Sequence, residues 1–172
     1  LAAARALRST TGLDIALKWP NDLVLAGAGK LGGILCEAAW PAASPAFVVA
    51  GIGINVHQRP EDWPPDLRAG ATSLAQVGDA GISRPDLAGA IIRELSGIAD
   101  SEAGPLDFEE LAALERLDAL RGRPVLVDGR PRGTAAGIAA DGSLRVRRSD
   151  GRLDLVYSGT VRVPEEREDL RK

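Results

Sequence analysis

Four turn signals punctuate the last part of the sequence, at Asp128-Gly129, Asp141-Gly142, Asp150-Gly151 and Ser158-Gly159. Pairs of this kind favour tight turns, and short apolar stretches lie between them. Four turns within about 40 residues leave room only for short strands that fold back on one another. We therefore expect residues 121–163 to form a small antiparallel barrel or meander, followed by a frayed, charged tail at 164–172.

The preceding residues mix helical and strand patterns. Helix-favouring or amphipathic sequences predict helices at 1–11, 84–101 and 105–120. Alternating or continuous apolar residues predict strands at 13–19, 22–27, 31–40 and 46–56, the last of them buried. Residues 57–81, which are rich in proline and glycine, are expected to form a long excursion between the strands and the helices.

Composition narrows the possible chemistry. Hydrophobic residues make up 45% and charged residues 26% of the 172, as in folded soluble proteins. No apolar run reaches the roughly 18–20 residues of a membrane-spanning helix. The single cysteine, Cys36, excludes an internal disulfide and a cysteine-based metal cluster, and alternation places it in the core. With one histidine, His57, neither a zinc site nor a catalytic triad is supported.

The net charge of −3 is unevenly spread along the chain. Residues 1–120 carry 9 basic and 16 acidic side chains, residues 121–163 carry 9 and 4, and residues 164–172 carry 3 and 4. This asymmetry predicts two modules with different surfaces. The basic excess of the second module is small and aromatic residues make up only 3%, so the sequence does not indicate nucleic-acid binding.

KWPND at 18–22 is the first of three segments that could form a site. Pro20 ends the preceding strand, so that Asn21 and Asp22 lie together on a turn. Their side-chain oxygens suit a hard cation such as Mg²⁺, which proteins usually share with substrate phosphates. An Asx turn without any ligand is the structural alternative.

GKLGGIL at 29–35 is the second segment, and it places Lys30 before two glycines. Lysine is rare in this chain, at three positions against 18 arginines, and both internal lysines, Lys18 and Lys30, fall in these two segments. A compact ammonium suits a point contact with a phosphate or carboxylate, and glycines let a ligand approach the backbone. A simple hairpin turn is the alternative.

GIGINV at 51–56 is the third segment. Strand alternation places Gly51, Gly53 and Asn55 on one face and the apolar residues on the other. Each glycine inside a strand weakens it by about 0.5–1 kcal/mol, so two on one face suggest that room is needed there. A flat ligand could lie on the glycines, and the Asn55 amide offers the donor and acceptor that an adenine edge pairs with. A twisted or bulged strand is the alternative.

In this order, KWPNDL at 18–23, GKLGGIL at 29–35 and GIGINV at 51–56 resemble the biotin–protein ligase family. ATSL at 71–74 and the predicted terminal barrel are also similar to it, so the resemblance covers nearly the whole chain. It implies an α+β fold in a cytoplasmic protein. Residues 1–120 would be the C-terminal portion of the catalytic domain, a mixed β-sheet backed by helices as in class II synthetases and biotin–lipoyl ligases. Residues 121–163 would form a small SH3-like β-barrel.

Members of this family activate biotin with ATP to biotinyl-5′-AMP, and they transfer the biotin to a lysine of a carboxylase's biotin carrier domain. The resemblance implies that Lys30 is the catalytic residue and contacts both the biotin carboxylate and the α-phosphate. Asn21 and Asp22 would help to hold Mg²⁺–ATP, with Lys18 on the phosphates. The remaining implied contacts are Gly53 and Asn55 for the nucleotide, and Gly33, Leu35 and Gly51 for biotin.

One motif of the family is missing from the sequence. The biotin loop GRGRxGR, expected before KWPND, has no counterpart in these 172 residues, and the lack of methionine fits a piece of a longer chain. We therefore expect the intact protein to be a ligase and this chain alone to be inactive or severely impaired. The alternative is a non-catalytic biotin- or nucleotide-binding remnant or a regulatory module. Lipoyl ligases share the sheet, but KWPND and the barrel argue against them. A homodimer is compatible with the sequence, which does not decide the oligomeric state.

Overall fold

The computed structural model describes residues 1–39, 47–78, 81–99 and 104–164. The chain divides into two compact units, Leu1–Glu102 and Ala103–Lys172. The predicted tail lies outside the described residues except for Pro164, and so does the end of the predicted third strand at Trp40. In the part of the chain that is described, no helix is long and apolar enough to cross a bilayer.

The first unit contains a four-stranded sheet whose strands follow chain order. They are β1 (Ile15–Lys18), β2 (Asp22–Leu25), β3 (Gly29–Ala39) and β4 (Phe47–Ile54). All four predicted strands are present. We expected a mixed sheet, but every ladder in the described residues is antiparallel, because short connections join consecutive strands. One isolated parallel bridge joins Lys30 to Ala71.

Two helices, α1 (Ala2–Thr11) and α2 (Arg84–Ala99), pack against each other in the same unit. Helix α1 ends as predicted, since Gly12 adopts a left-handed φ of 70° and its N–H donates to the Arg8 carbonyl at 2.9 Å. Short 3₁₀ turns follow β4 at Pro60–Asp62 and Ala75–Val77. The core of the unit includes the buried residues Leu7, Ile15, Leu23, Leu31, Leu74 and Leu87.

The outer end of the β3–β4 ladder is exposed. Phe47, Val48 and Val49 are each more than half exposed, and Cys36 is exposed as well. The expectations that β4 is buried and that Cys36 lies in the core are therefore wrong. Cys36 and Ile34 do share a face of β3, as alternation predicts. The described residues nevertheless leave this end of the sheet uncovered.

The second unit contains five antiparallel strands. They are β5 (Pro124–Val127), β6 (Arg130–Ile138), β7 (Leu144–Arg147), β8 (Leu153–Val156) and β9 (Val161–Arg162). Each of the four predicted turns lies between two consecutive strands, and β5 to β8 form an antiparallel meander, whereas β9 pairs with β5 and not with β8. The strand order is β8-β7-β6-β5-β9, so the described residues form an open sheet and no closed barrel is seen. Its core includes Val125, Leu144, Val146 and Val161.

Helix α3 (Phe108–Leu117) precedes these strands within the second unit. It begins at a capping box, in which the Asp107 side chain accepts the Glu110 N–H at 2.8 Å and the Glu110 side chain accepts the Asp107 N–H at 2.9 Å. The helix contacts β6. The change in charge and turn content at Arg121 therefore lies inside the second compact unit.

The main chains of β3 and β4 come close together at Gly32, and a substitution there can test this. A Cβ on Gly32 would lie 2.3 Å from the Gly53 carbonyl oxygen, whereas a Cβ on Gly51 would meet no atom nearer than 3.7 Å. We expect Gly32→Ala to lower the free energy of unfolding by about 1–3 kcal/mol. The matched variant Gly51→Ala should change it by less than about 0.5 kcal/mol. Urea unfolding followed by circular dichroism measures both, and equal effects would contradict the close approach.

Candidate functional site

A row of residues crosses all four strands of the first sheet at one level. In the pairing register Lys18 lies opposite Asp22, Asp22 opposite Gly33, and Gly33 opposite Gly53. Directly opposed residues of antiparallel strands project from the same face. One face of the sheet therefore carries residues from all three of the sequence motifs described above.

Lys30 joins this face because β3 is bulged. The register between β2 and β3 shifts between Leu23 and Val24, which leaves Leu31 as an extra residue on β3. Strict alternation would send residues 30 and 33 to opposite faces. Instead, a Cβ on Gly33 would lie 3.6 Å from the Lys30 Nζ. The ammonium group of Lys30 thus lies over the bare backbone of Gly33.

Asp22 lies between the two internal lysines. Its Oδ2 is 3.2 Å from the Lys18 Nζ, and its Oδ1 is 2.5 Å from the Lys30 Nζ. The Asp22 side chain is only 14% exposed, while that of Lys30 is 50% exposed. The carboxylate is therefore sheltered and the Lys30 ammonium is open to solvent. One carboxylate shared by two ammonium groups leaves one positive charge, which suits an anionic ligand.

Beside the lysines the sheet presents a floor without side chains, formed by Gly33, Gly51 and Gly53. A Cβ added at Gly51 or Gly53 would meet only a neighbouring backbone oxygen, at 3.7 and 4.0 Å, so the space above these two glycines is open. Above Gly33 the Lys30 side chain is already within contact distance, with its Nζ 3.6 Å from the added Cβ. Leu35 pairs with Gly51 and is 62% exposed. The floor runs from the charged end at Lys30 to an apolar end at Leu35, a shape that fits a ligand with an anionic head and an apolar body.

Asn55 lies just beyond the end of β4, and two carbonyl groups hold its carboxamide. Nδ2 donates to the Lys30 carbonyl at 3.4 Å and to the Thr72 carbonyl at 3.0 Å. Carbonyl oxygens only accept hydrogen bonds, so these partners fix the orientation of the amide. The NH₂ group is engaged within the protein, which leaves Oδ1 for a base edge. The contact of Asn55 with adenine stays a prediction.

Sequence reasoning missed the contribution of the loop at 70–74. The Gly70 carbonyl accepts the Lys30 N–H at 2.7 Å, and the Thr72 N–H donates to the Lys30 carbonyl at 2.9 Å. Thr72 and Ser73 are buried, which anchors the loop. ATSL at 71–74 marked the loop in the sequence. Its contacts with Lys30 are made by main-chain atoms, however, and these leave no trace in the side-chain pattern.

Asn21 and Asp22 are adjacent but do not form a metal cage by themselves. Both Asp22 oxygens contact ammonium groups, and Asn21 is exposed. In the ranges that the structure covers, no group of three or more His, Cys, Asp or Glu side chains could hold a metal ion. A Mg²⁺ ion that arrives with a polyphosphate needs only one or two protein oxygens, so the binding of Mg²⁺ by Asn21 and Asp22 stays a prediction.

Comparisons with known proteins point to one family of enzymes, although no protein-family model matches the chain. The chain is 50% identical over 82 residues to the biotin--[acetyl-CoA-carboxylase] ligase of Mycobacterium tuberculosis, a match that covers 48% of this chain and 27% of the relative. It is 32% identical over 166 residues to the bifunctional ligase/repressor BirA of Escherichia coli, covering 94% of this chain and 50% of the relative. The matches thus span half or less of these relatives' length.

The fold is similar to that of biotin protein ligase from Aquifex aeolicus. The apo structure of that protein gives a TM-score of 0.76 at 23% identity and covers 94% of this chain and 71% of that chain. Its complex with biotin and ATP gives a TM-score of 0.72 at 24% identity, covering 94% and 68%. Sequence and fold together confirm the resemblance to biotin–protein ligases.

Replacing Asp22 by Asn tests whether its carboxylate holds the two lysines together. Without that charge, Lys18 and Lys30 repel each other, so we expect the free energy of unfolding to fall by about 1 kcal/mol at low salt. Part of the loss should disappear at high ionic strength, which screens the repulsion. The control Asp14→Asn removes a carboxylate that is 82% exposed beside Arg8. It should cost less than about 0.5 kcal/mol. Urea titrations at two salt concentrations measure both variants, and a salt-independent loss for Asp22→Asn would contradict this role.

Proposed function

We propose that this chain is part of an ATP-dependent biotin–protein ligase. Such an enzyme activates biotin to biotinyl-5′-AMP and then transfers it to a lysine in the biotin carrier domain of a carboxylase. The observation that carries the proposal is the Lys30 ammonium above Gly33, on the face that also holds Asp22 and the glycine floor. The reaction consumes ATP, and we place it in the cytoplasm.

Activation requires two anionic groups to approach each other. An oxygen of the biotin carboxylate bonds to the α-phosphorus of ATP, while the bond from that phosphorus to the leaving pyrophosphate breaks. Lys30 is placed at the charged end of the glycine floor, where its ammonium can contact the carboxylate and the α-phosphate together. It offsets their repulsion and the charge that develops in the transition state. Holding both substrates in this orientation supplies much of the remaining acceleration.

Most of the other proposed roles fall to residues of the same face. Asp22 keeps Lys18 and Lys30 close together, so that both ammonium groups can meet phosphate oxygens. Asn21 and Asp22 would be the protein ligands of Mg²⁺, which neutralises phosphate charge when it is bound with ATP. The glycine floor supplies the remaining surface, with Gly53 and Asn55 on the nucleotide side, and Gly33, Leu35 and Gly51 along biotin.

We assign the transfer step in part to the second unit, as an SH3-like module within residues 121–163. This segment carries nine basic and four acidic side chains, and Arg147 and Arg148 on its surface are exposed. Carrier domains that accept biotin are usually acidic, so complementary charge would favour their docking. Residues 1–120 would form the C-terminal portion of the catalytic domain.

A non-catalytic role is the second candidate. It is favoured by one observation, namely that the chain matches half or less of the length of the ligases to which it is similar. A chain that holds Lys30 and the glycine floor could bind biotin or a nucleotide without joining them. The two candidates make the same prediction for ligand binding and opposite predictions for turnover.

Lys30→Ala is the direct test of the site. We expect the wild-type chain to bind a non-hydrolysable biotinyl-5′-AMP analogue, and Lys30→Ala to bind it at least about tenfold more weakly, because a charge-assisted contact with the ligand is lost. Isothermal titration calorimetry measures both. Arg5→Ala, which removes an exposed cation on α1, should bind like the wild type. Failure of the wild-type chain to bind the analogue would overturn the proposed site.

Biotin-dependent exchange of pyrophosphate into ATP separates the two candidates. We expect the 172-residue chain, which matches 27% of the M. tuberculosis relative, to exchange at least about 100-fold more slowly than that relative, because one charge-stabilising contact to the transition state is worth about this factor. Detectable exchange that Lys30→Ala abolishes would support the ligase. Tight analogue binding with no biotin-dependent exchange at all would favour the non-catalytic role.

Charge reversal in the second unit tests carrier docking. We expect Arg147→Glu together with Arg148→Glu to slow the transfer of biotin from synthetic biotinyl-5′-AMP to an apo carrier domain, because the substitutions oppose its acidic surface. The effect should shrink at high salt. Arg5→Glu changes the charge of α1 and serves as the control. Equal transfer rates for the double variant and the wild type would contradict docking through these arginines.

A further inference from the structure

We infer that Asn55 is a positioning residue for Lys30 and acts through the main chain of that lysine. The inference builds on the proposed function, because it takes the Lys30 ammonium to be the working group. It gives Asn55 a task different from contact with a base: its NH₂ group fixes the segment from which the Lys30 side chain extends.

The Lys30 peptide group is held on both sides. Its N–H donates to the Gly70 carbonyl at 2.7 Å, and its carbonyl accepts the Thr72 N–H at 2.9 Å. The Asn55 Nδ2 donates to that same carbonyl at 3.4 Å and to the Thr72 carbonyl at 3.0 Å. Asn55 therefore joins the start of β3 to the loop at 70–74 through one side chain, and it completes the second acceptor position of the Lys30 oxygen.

The main chain of Asn55 is anchored to the same two segments. Its N–H donates to the Leu31 carbonyl at 2.8 Å, and its carbonyl accepts the Leu74 N–H at 3.0 Å. Ser73 anchors the loop, because it is fully buried and its Oγ donates to the Gln58 carbonyl at 2.6 Å. Asn55 thus transmits the position of an anchored loop to Lys30.

Lys30 needs this support because it lies in a bulge. Regular ladder bonds to β2 are interrupted beside it, and its side chain is half exposed. The direction of its Cα–Cβ bond, and hence the reach of Nζ to Asp22 and over Gly33, depends on the local main chain. A bulge sets the direction of the side chain that it carries. Loss of one of the hydrogen bonds that hold the bulge is therefore expected to change the direction of the Lys30 side chain.

The polarity of the contact makes the inference testable. Two carbonyl oxygens face the Nδ2 group, so Asn55→Asp would set a carboxylate oxygen against two acceptors. A protonated aspartic acid can donate one hydrogen bond and would restore part of the tie. The defect of Asn55→Asp should therefore be largest at high pH, where the acid is ionised, and should shrink as the pH falls. A residue that only fills space would not give this profile.

Nuclear magnetic resonance can follow Lys30 without any turnover. The chain has three lysines, so a carbon-13 label at the lysine ε-carbon gives three signals, and Lys30→Arg assigns the one of interest. We expect Asn55→Asp to shift the Lys30 signal and to speed hydrogen exchange of the Thr72 amide by about tenfold at about pH 8. Both should move back toward wild type only as the pH falls to about 4, where an ordinary aspartic acid takes up its proton.

Gln76→Glu provides a matched control in the same loop region. It also replaces an amide that donates to a carbonyl, since the Gln76 Nε2 donates to the Gln58 carbonyl at 3.0 Å. The Gln76 side chain makes none of the hydrogen bonds to Lys30 described above, so Gln76→Glu should leave the Lys30 signal at its wild-type position. An unchanged Lys30 signal in Asn55→Asp, or an equal shift in Gln76→Glu, would overturn the inference.

Kinetics of adenylate formation give a second, independent reading. In the ligase, Asn55→Asp should lower kcat by about tenfold while KM for ATP stays within about twofold, since the tie to Lys30 affects the transition state. In a Lys30→Ala background the same substitution should add no further loss. A raised KM for ATP with unchanged kcat would show direct base contact instead. If the wild-type chain does not bind the biotinyl-5′-AMP analogue, the proposed function fails, and the resonance experiment still decides the role of Asn55.

Discussion

A single sheltered carboxylate keeps two ammonium groups together on the open face of the first sheet. Asp22 contacts the Nζ atoms of both Lys18 and Lys30, and without it the two cations would repel each other across β1, β2 and β3. Asp22 is the best covered of the three side chains, whereas half of the Lys30 side chain is exposed, so the Lys30 ammonium remains available to a ligand on its outer side. The glycine floor begins where that ammonium ends, which joins a charged end to a backbone surface.

Much of this site could be predicted from the sequence. In the second unit, turn signals predict that consecutive strands pair antiparallel, as at Asp128-Gly129 between β5 and β6, but they do not predict that β9 pairs with β5. In the first unit, short connections between strands make neighbours antiparallel, and alternation then gathers Asp22, Gly33 and Gly53 on one face. These rules are local, since they depend on chain length and side-chain period, so they can be applied without knowing the rest of the fold.

The remaining features depend on contacts that are distant in sequence. Alternation puts residues 30 and 33 on opposite faces, and only the bulge at Leu31 brings the Lys30 ammonium over Gly33. Apolar character predicts a buried β4, and alternation predicts a buried Cys36. A side chain is buried only if another layer covers it, however, and the described residues supply none there. The ties between Lys30 and the loop at 70–74 are made by peptide groups, which every residue carries.

The segment at 51–56 both leaves room for a ligand and helps to hold Lys30 in position. Gly51 and Gly53 open the floor, and each glycine makes β4 less stable by about 0.5–1 kcal/mol. Asn55 follows immediately and binds β3 and the loop at 70–74 through both its main chain and its amide. Bulkier residues in place of the glycines would stiffen the strand but fill the space above it. Because side chains on β4 would fill the space above it, the strand is held at its end by Asn55. The same residue donates a hydrogen bond to the Lys30 carbonyl.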